Sequence, residues 1–187
     1  MRRVVAAINM TLDGSCDHMA GLPDADIHNH YRELLSEGGS ILYGRITYQL
    51  MEYWRTFLEN PSEKKSMNDF AIAIDKIPKI VFSHTLTRVD WKSASLAKRN
   101  LQETVLELKA QPGKDIFVGS RSLILQLMNL HLIDEFQLCI FPVAGKNSMP
   151  LFEGIEGRTL FKLAKTKVFN GGAIILYCEP IRDSFQN

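Results

Sequence analysis

Residues 40–51 read SILYGRITYQLM, an apolar run of strand character that meets a glycine and an arginine and passes at once into a helical pattern. That joint suits a dinucleotide. A residue without a side chain lets backbone amides approach a phosphate, the helix start adds partial positive charge, and Arg45 and Thr47 can donate to phosphate oxygens. Strand, glycine and helix also meet this way in any α/β protein, so the weight of Gly44 depends on what the rest of the chain does at equivalent places.

Two further stretches repeat the pattern. Lys79 to Ser83, KIVFS, is a β-branched strand behind Pro78 that runs into the polar residues His84 and Thr85. Asp115 to Val118 is a buried strand followed by Gly119 and Ser120, after which Arg121 to Leu130 has helical spacing at Leu123, Leu127 and Leu130. Ligands of open α/β sheets gather beyond the carboxyl ends of the strands, and all three junctions are such ends. Upstream, Arg3 to Met10 is near-continuously apolar, as the middle of a sheet requires, and Thr11 to Gly14 turns the chain. Pro23, with Asp24 and Asp26, predicts the start of a helix whose apolar face is Ile27, Tyr31, Leu34 and Leu35 and which Gly38 and Gly39 end. Asn60 to Asn68 reads as a surface connection, Phe70 to Ile77 as a short apolar segment of helical character, and Asn100 to Lys109 as a helix.

The last third changes character. Asp134 to Val143, then the turn-rich AGKNSMP, then strands near Thr159 to Asn170 and Gly172 to Glu179 predict antiparallel pairing around Asn170, Gly171 and Gly172. The expected architecture is an alternating α/β body ending in a β-hairpin, formed by residues 1–187 as a single domain without internal repeat or linker.

A hydrophobic content of 45% in 187 residues supports a folded globule, and a formal charge of +1 without a basic stripe argues against nucleic acid as a partner and for a small molecule. Cys16, Cys139 and Cys178 form no CxxC pair, which fits a reduced, cytoplasmic setting. Asn9, Thr11 and Asp13 interrupt the apolar start where a signal peptide would need continuity, and no stretch reaches the roughly 18 to 20 apolar residues of a membrane span. A metal site is not expected: Asp24 with His28, and Asp26 with His30, are pairs lacking a third ligand at suitable spacing.

Taken together, MTLDG at 10–14, LPDADIHNHY at 22–31, YGRITYQLM at 43–51 with Trp54, KIVFSHTL at 79–86, DIFVGS at 115–120, LIDEF at 132–136 and PLF at 150–152 are similar in order and spacing to one family. The chain resembles the dihydrofolate reductase-like superfamily, and within it the RibD C-terminal (riboflavin biosynthesis reductase) domain family, particularly its short stand-alone bacterial members. The resemblance implies a three-layer α/β/α fold with a mostly parallel central sheet and a C-terminal antiparallel hairpin. It implies an NADPH-dependent reductase, with Gly44, Arg45 and Thr47 beside the cofactor phosphates, Ser83, His84 and Thr85 near the adenosine 2′-phosphate, and Gly119, Ser120 and Arg121 at the diphosphate. Ala6, Ala7 and the segment to Asp13 would flank the nicotinamide, with backbone groups fixing its carboxamide. It also implies a homodimer through the terminal strands, for which DEFQLCIFPV and AIILYCE are apolar enough.

Reduction of a C=N or C=O bond needs a proton as well as a hydride, and folate reductases take it from a carboxylate at the start of the first helix. At about 100° per residue, Asp24 falls in a narrow arc with Ile27, Tyr31 and Leu34 while Asp26 points away, so Asp24 is the favoured acid. Asp13 of the LDG element and His28, on the Asp24 face, are the other catalytic candidates; each acid is also an ordinary turn or first-turn residue. In two places the chain departs from the enzymes it resembles. MEYWRTFLENPSE at 51–63 stands where riboflavin-pathway reductases carry a DNP segment and basic residues for a ribose phosphate. No tryptophan occurs between Gly14 and Leu22, where folate reductases have one. The resemblance therefore implies cofactor class first, reaction type next and substrate last, with a weak dihydrofolate reductase or a non-catalytic NADP-binding module as alternatives.

Overall fold

The apolar runs of the sequence become eight strands of one sheet in the computed structural model, which describes residues 1–19, 21–145 and 149–181. In chain order the elements are β1 (Val4–Thr11), α1 (Ala25–Glu37), β2 (Ser40–Gly44), α2 (Arg45–Met51), α3 (Thr56–Glu59), α4 (Lys65–Lys76), β3 (Lys79–Phe82), β4 (Ala94–Leu96), α5 (Leu101–Ala110), β5 (Ile116–Val118), α6 (Arg121–Asn129), β6 (Glu135–Phe141), β7 (Phe161–Val168) and β8 (Ile174–Pro180). A 3-10 turn over Glu52–Arg55 joins α2 to α3. The strands lie in the order β4-β3-β2-β5-β1-β6-β8-β7, parallel through β6 and antiparallel for the last two pairings. This is the three-layer, mostly parallel sheet with a terminal hairpin that the sequence predicts.

Alternation along the strands divides the core. Val4, Ala6, Leu42, Ile116 and Val118 pack under α5 and α6, whereas Val5, Ile41, Tyr43, Val81 and Phe117 pack under α1 and α4. Strands buried on both faces read as unbroken apolar runs, which is why β1, β2 and β5 were plain in sequence. Glycine matters most at Gly38, the C-cap of α1, where a Cβ would lie 2.3 Å from the Phe117 ring. Lys79 at the start of β3 is fully buried. Its ammonium donates to the Asp75 and Ile77 carbonyls at the end of α4 and to Ser93 Oγ, and lies 4.0 Å from the centre of the Trp91 ring. Burial pushes its pKa down to about 8.

Three boundaries differ from the sequence reading. Asn60–Asn68 is not wholly a connection, because α4 begins at Lys65; its N-cap Lys64 makes no side-chain cap bond, so no capping residue advertised the start. The helix expected near Pro23 begins at Ala25, with Asp24 as N-cap. Residues 87–99 carry no strand pattern, yet β4 adds a parallel edge to β3, fixed by buried Trp91, whose indole N–H donates to Asp75 Oδ1 at 2.6 Å. Residues 146–148 of the turn-rich connection lie outside the described residues. Among the described residues no helix is long and apolar enough to cross a membrane.

Candidate functional site

The parallel strands β3, β2, β5 and β1 are neighbours, so their carboxyl ends share one edge of the sheet. Ser83 follows β3, Gly44 ends β2, and Gly119 and Ser120 follow β5. Two of these junctions are joined directly: the Gly44 N–H donates to Ser120 Oγ at 2.9 Å. Ser120 is buried and is the N-cap of α6, but its hydroxyl serves β2 rather than its own helix. Pairing of β1 with β5 stops at Ala6 and Val118, whereas β1 remains paired with β6 to Thr11. β5 ends at Val118, so from Ile8 onward the β5-facing side of β1 has no strand beside it, and in open α/β sheets ligands gather beyond such strand ends.

The predicted phosphate-side residues take different places around this edge of the sheet. Arg45 opens α2, is exposed, and donates to Gln49 Oε1 at 3.2 Å; Thr47 is half-buried one turn in. A Cβ at Gly44 would meet only Ser122 Oγ at 3.5 Å and Ser120 Oγ at 3.8 Å, so the protein's own packing does not demand a glycine there. At Gly119 a Cβ would crowd the Tyr43 ring at 3.2 Å and lie 3.9 Å from the Ala7 carbonyl oxygen, which puts the nicotinamide-side candidate Ala7 against this junction; Ala6 is fully buried. Ser83 Oγ accepts from the Thr85 N–H at 3.1 Å and the Leu86 N–H at 2.9 Å, a turn that leaves His84 and Thr85 exposed. Arg121 is committed elsewhere: Nε donates to the Pro150 carbonyl at 2.6 Å, and the guanidinium pairs with Glu153 at 2.9 Å.

The acids also have local partners. Asp24 Oδ1 accepts from the Ile27 N–H at 3.0 Å, and its other oxygen abuts Gly171 in the β7–β8 turn, where a Cβ would come within 2.5 Å. Asp26 accepts from Asn170 Nδ2 at 2.8 Å, so the hairpin turn engages both carboxylates. Asp13 accepts from the Thr11 hydroxyl at 2.5 Å, and that bond holds its carboxyl below the usual range. A carboxyl kept ionised in this way is a poor proton donor. The His28 ring stands against Trp54 and Phe70, and burial outweighs the pull of Asp24 to lower its pKa, leaving it neutral at pH 7. Asp24, His28 and Tyr31 follow one another at helical spacing on one side of α1.

Two residues that the sequence placed only by position, in the strand-to-Asp13 segment and in the hairpin turn, make contacts that sequence reasoning did not assign. Asn9 is exposed in the middle of β1, and its Oδ1 accepts from the Tyr31 hydroxyl at 2.6 Å. A polar residue inside an otherwise apolar central strand was the available signal. Gly171 had none, because its contact with Asp24 spans the whole chain. Among the described residues no group of three His, Cys, Asp or Glu is arranged to hold a metal. An open depression of about 960 Å³ lies between α1 and the start of α4, lined by Asp24, Asn29, Arg32, Lys64, Lys65 and Asp69 among others. Its lining carries charges of both signs and selects no ligand.

The sheet order, the early end of β5 beside β1 and the terminal hairpin define an α/β protein of the dihydrofolate reductase type. Within that class the chain belongs to the RibD C-terminal domain family, whose pattern it matches over residues 2–175. It is 32% identical over 177 residues to YyaP, an uncharacterised protein of Bacillus subtilis, covering 92% of each chain. Among solved structures it is similar to a putative riboflavin biosynthesis protein from a Shewanella species, with a TM-score of 0.69, 19% identity and coverage of 96% of this chain and 99% of that one. A pyrimidine reductase-like protein from Corynebacterium diphtheriae gives a TM-score of 0.66 at 15% identity, covering 97% and 93% of the respective chains.

Proposed function

We propose that the protein is an NADPH-dependent reductase that delivers hydride to a C=N or C=O bond of a small heterocyclic or carbonyl substrate, in the manner of the uracil-type reductase of riboflavin biosynthesis. The observation that carries this is that the carboxyl ends of the neighbouring strands β3, β2 and β5 share one edge of the sheet, two of them tied by the Gly44–Ser120 bond. The donor chemistry fits the cofactor. The exposed guanidinium of Arg45, the hydroxyls of Thr47, Ser83 and Thr85, and the imidazole of His84 can all face phosphate, and no carboxylate belongs to this set. Arg121 contributes by fixing the 150–153 segment beside the Gly119 junction.

The cofactor supplies the hydride. What the chain supplies is position and a proton. Ala7, next to fully buried Ala6, offers backbone groups where β5 ends, and Asp24, held by its cap bond and by Gly171, presents a carboxyl from the start of α1. Neutral His28, backed by Trp54 and Phe70, closes the apolar side of that approach. Asp13 stabilises the turn after β1 rather than donating a proton.

Titration with NADPH and NADH, followed by nicotinamide fluorescence and by thermal stability, tests this reading. NADPH is expected to bind more tightly than NADH. Loss of a charged hydrogen bond to phosphate costs about 1.5 to 3 kcal/mol, so Arg45→Ala is expected to weaken NADPH by roughly tenfold to a hundredfold. Its melting temperature should stay near that of the parent, since the side chain is exposed and bonds only to Gln49 among the described residues. Unaltered affinity in a folded Arg45→Ala protein removes the phosphate assignment. NADPH bound without consumption across pterin, pyrimidine and carbonyl compounds points instead to a binding module.

A further inference from the structure

Arg121 opens α6 directly after Gly119 and Ser120, yet its bonds run to the connection between β6 and β7. Nε donates to the Pro150 carbonyl at 2.6 Å and Nη2 pairs with Glu153 at 2.9 Å. Pro150 has no N–H, so this carbonyl is its one backbone hydrogen-bonding group. Ser15 and Pro150 face each other in an antiparallel bridge, closed by the Cys16 N–H on the Met149 carbonyl at 2.9 Å and the Leu151 N–H on the Gly14 carbonyl at 3.2 Å. In such a pair the facing residues direct their own backbone groups outward, which leaves the Pro150 carbonyl to Arg121.

The bonds continue into the turn after β1. The Ser15 carbonyl accepts from the Thr11 N–H at 2.8 Å, the Ser15 N–H donates to Thr11 Oγ1 at 3.2 Å, and that hydroxyl donates to Asp13. Thr11 and Ser15 are both buried. Burial pushes the Cys16 thiol up to about 11 against the pull of Arg121, so the guanidinium is within electrostatic reach of the turn. From Ile8 to Thr11, β1 has β6 on one side and no strand on the other. The link from Arg121 through Pro150 to Ser15 therefore runs from the end of β5 to the turn that closes β1. The segment between is held twice: Leu151 is buried in the core cluster that contains Leu123 and Leu127, and Arg121 holds Pro150. Only the second hold can be removed without emptying the core.

We infer that Arg121 is a positioning residue: through the Pro150 carbonyl it holds the turn after β1, and so steadies the nicotinamide end of the site instead of binding the cofactor phosphates. What occupies the site rests on the proposed reductase reading; the hold on the turn does not. Charge and hold can be separated by substitution. Lysine carries the same charge as arginine but has a methylene where arginine has Nε, and methionine keeps the apolar stem with neither charge nor donor.

Backbone amide hydrogen exchange is measured without ligand for the parent, Arg121→Met and Arg121→Lys, and NADPH titration then gives both the affinity and the nicotinamide emission of the bound cofactor. In both variants the Cys16 and Leu151 amides are expected to exchange about tenfold faster or more, the scale of one charged hydrogen bond, while amides of β5 and α6 keep their rates. NADPH affinity should stay within about twofold of the parent's, and the emission of bound nicotinamide should fall in both variants, because the phosphate end remains held while the ring end is loosened. Unchanged exchange at Cys16 and Leu151, or unchanged emission of bound NADPH, overturns the inference. So does an affinity lost in Arg121→Met and restored in Arg121→Lys, which makes Arg121 a phosphate ligand. Faster exchange throughout the protein with a lowered melting temperature overturns it as well, by making Arg121 a general support of the fold. If Arg121→Met does not fold, Arg121→Lys carries the same exchange test. A parent that binds no NADPH removes the reductase reading, and exchange at Cys16 and Leu151 still decides whether Arg121 holds the turn.

Discussion

His30 carries an acid-sensitivity that its own helix does not reveal. It is 8% exposed, packed against Phe169, with Lys167 Nζ 3.3 Å from Nδ1 and no partner for Nε2 among the described residues. Burial first, and the Lys167 ammonium second, push its pKa down to about 4. An unfolded chain takes up this proton near pH 6.5, so between pH 6.5 and about 4 the unfolded state binds more protons than the folded one. Its contribution to stability is therefore complete above pH 6.5 and is lost as pH falls towards 4, by up to roughly 3 kcal/mol. Denaturant unfolding of the parent and of His30→Gln at a series of pH values measures this. The variant should show a flatter acid limb, and parallel limbs would exclude His30 as the cause. Lys167 is 137 residues away in sequence, so no spacing rule could have paired the two. Ser120 teaches the same lesson: its place after a strand was legible, but its bond to Gly44, 76 residues distant, was not.

At the scale of elements, the β7–β8 turn and the start of α1 behave as one unit. Asn170 bonds Asp26, and Gly171 leaves room for Asp24 where any Cβ would come within 2.5 Å of its carboxylate. Gly171 does not adopt positive φ, unlike Gly172 at +84°, so alanine is compatible with its backbone and its effect must arise from the contact. On the proposed reductase reading, Gly171→Ala is expected to push the Asp24 carboxyl aside and lower the kcat of NADPH-dependent reduction by an order of magnitude or more, with a stability change of about 1 kcal/mol or less. Asp24→Asn is the companion, because asparagine caps a helix as well as aspartate does: it should abolish turnover, keep the melting temperature and leave NADPH bound. A fully active Gly171→Ala enzyme would separate the hairpin from the chemistry. The hairpin and the glycine end of α1 were legible because glycine has strong positional roles, whereas Asp24 and Asn100, read as first helical residues, are the N-caps of α1 and α5. The start of α4 and the strand β4 were not, since one lacks a capping side chain and the other owes its place to the tertiary packing of Trp91.

Across the whole molecule the two faces of the sheet are unequally covered. On the α1 side, Cys139, Phe141, Ile175 and Tyr177 of β6 and β8 are buried, and Lys165 and Lys167 on β7 project over Tyr177 and Phe169. The opposite face of β1, β6, β8 and β7 carries Ile8, Met10, Leu138, Ile140, Ile174, Leu176 and Cys178, each only partly buried, and ends in Leu163 at 54% and Val168 at 70% exposure. The helices α5 and α6 stop short of it, their buried residues packing instead around Val4, Ala6, Ile116 and Val118. Ile8, Met10, Leu138 and Cys178 pack in part against the core around Phe136 and Leu151, while Leu163 and Val168 leave apolar surface in water that a partner can cover. The lysines of β7 guard the edge and the α1 side against further strand pairing, so the favoured contact is face to face. A second copy of the chain would offer the same surface and could close it by a twofold axis. The homodimer expected from the apolar terminal strands is accordingly predicted to use this face. Sedimentation equilibrium should give twice the chain mass at micromolar concentration. Leu163→Lys with Val168→Lys, at exposed positions where neither residue supports the core, should release monomers that retain their circular dichroism. A parent protein that sediments as a monomer, or a double variant that remains fully dimeric, would show that this surface has another occupant or none.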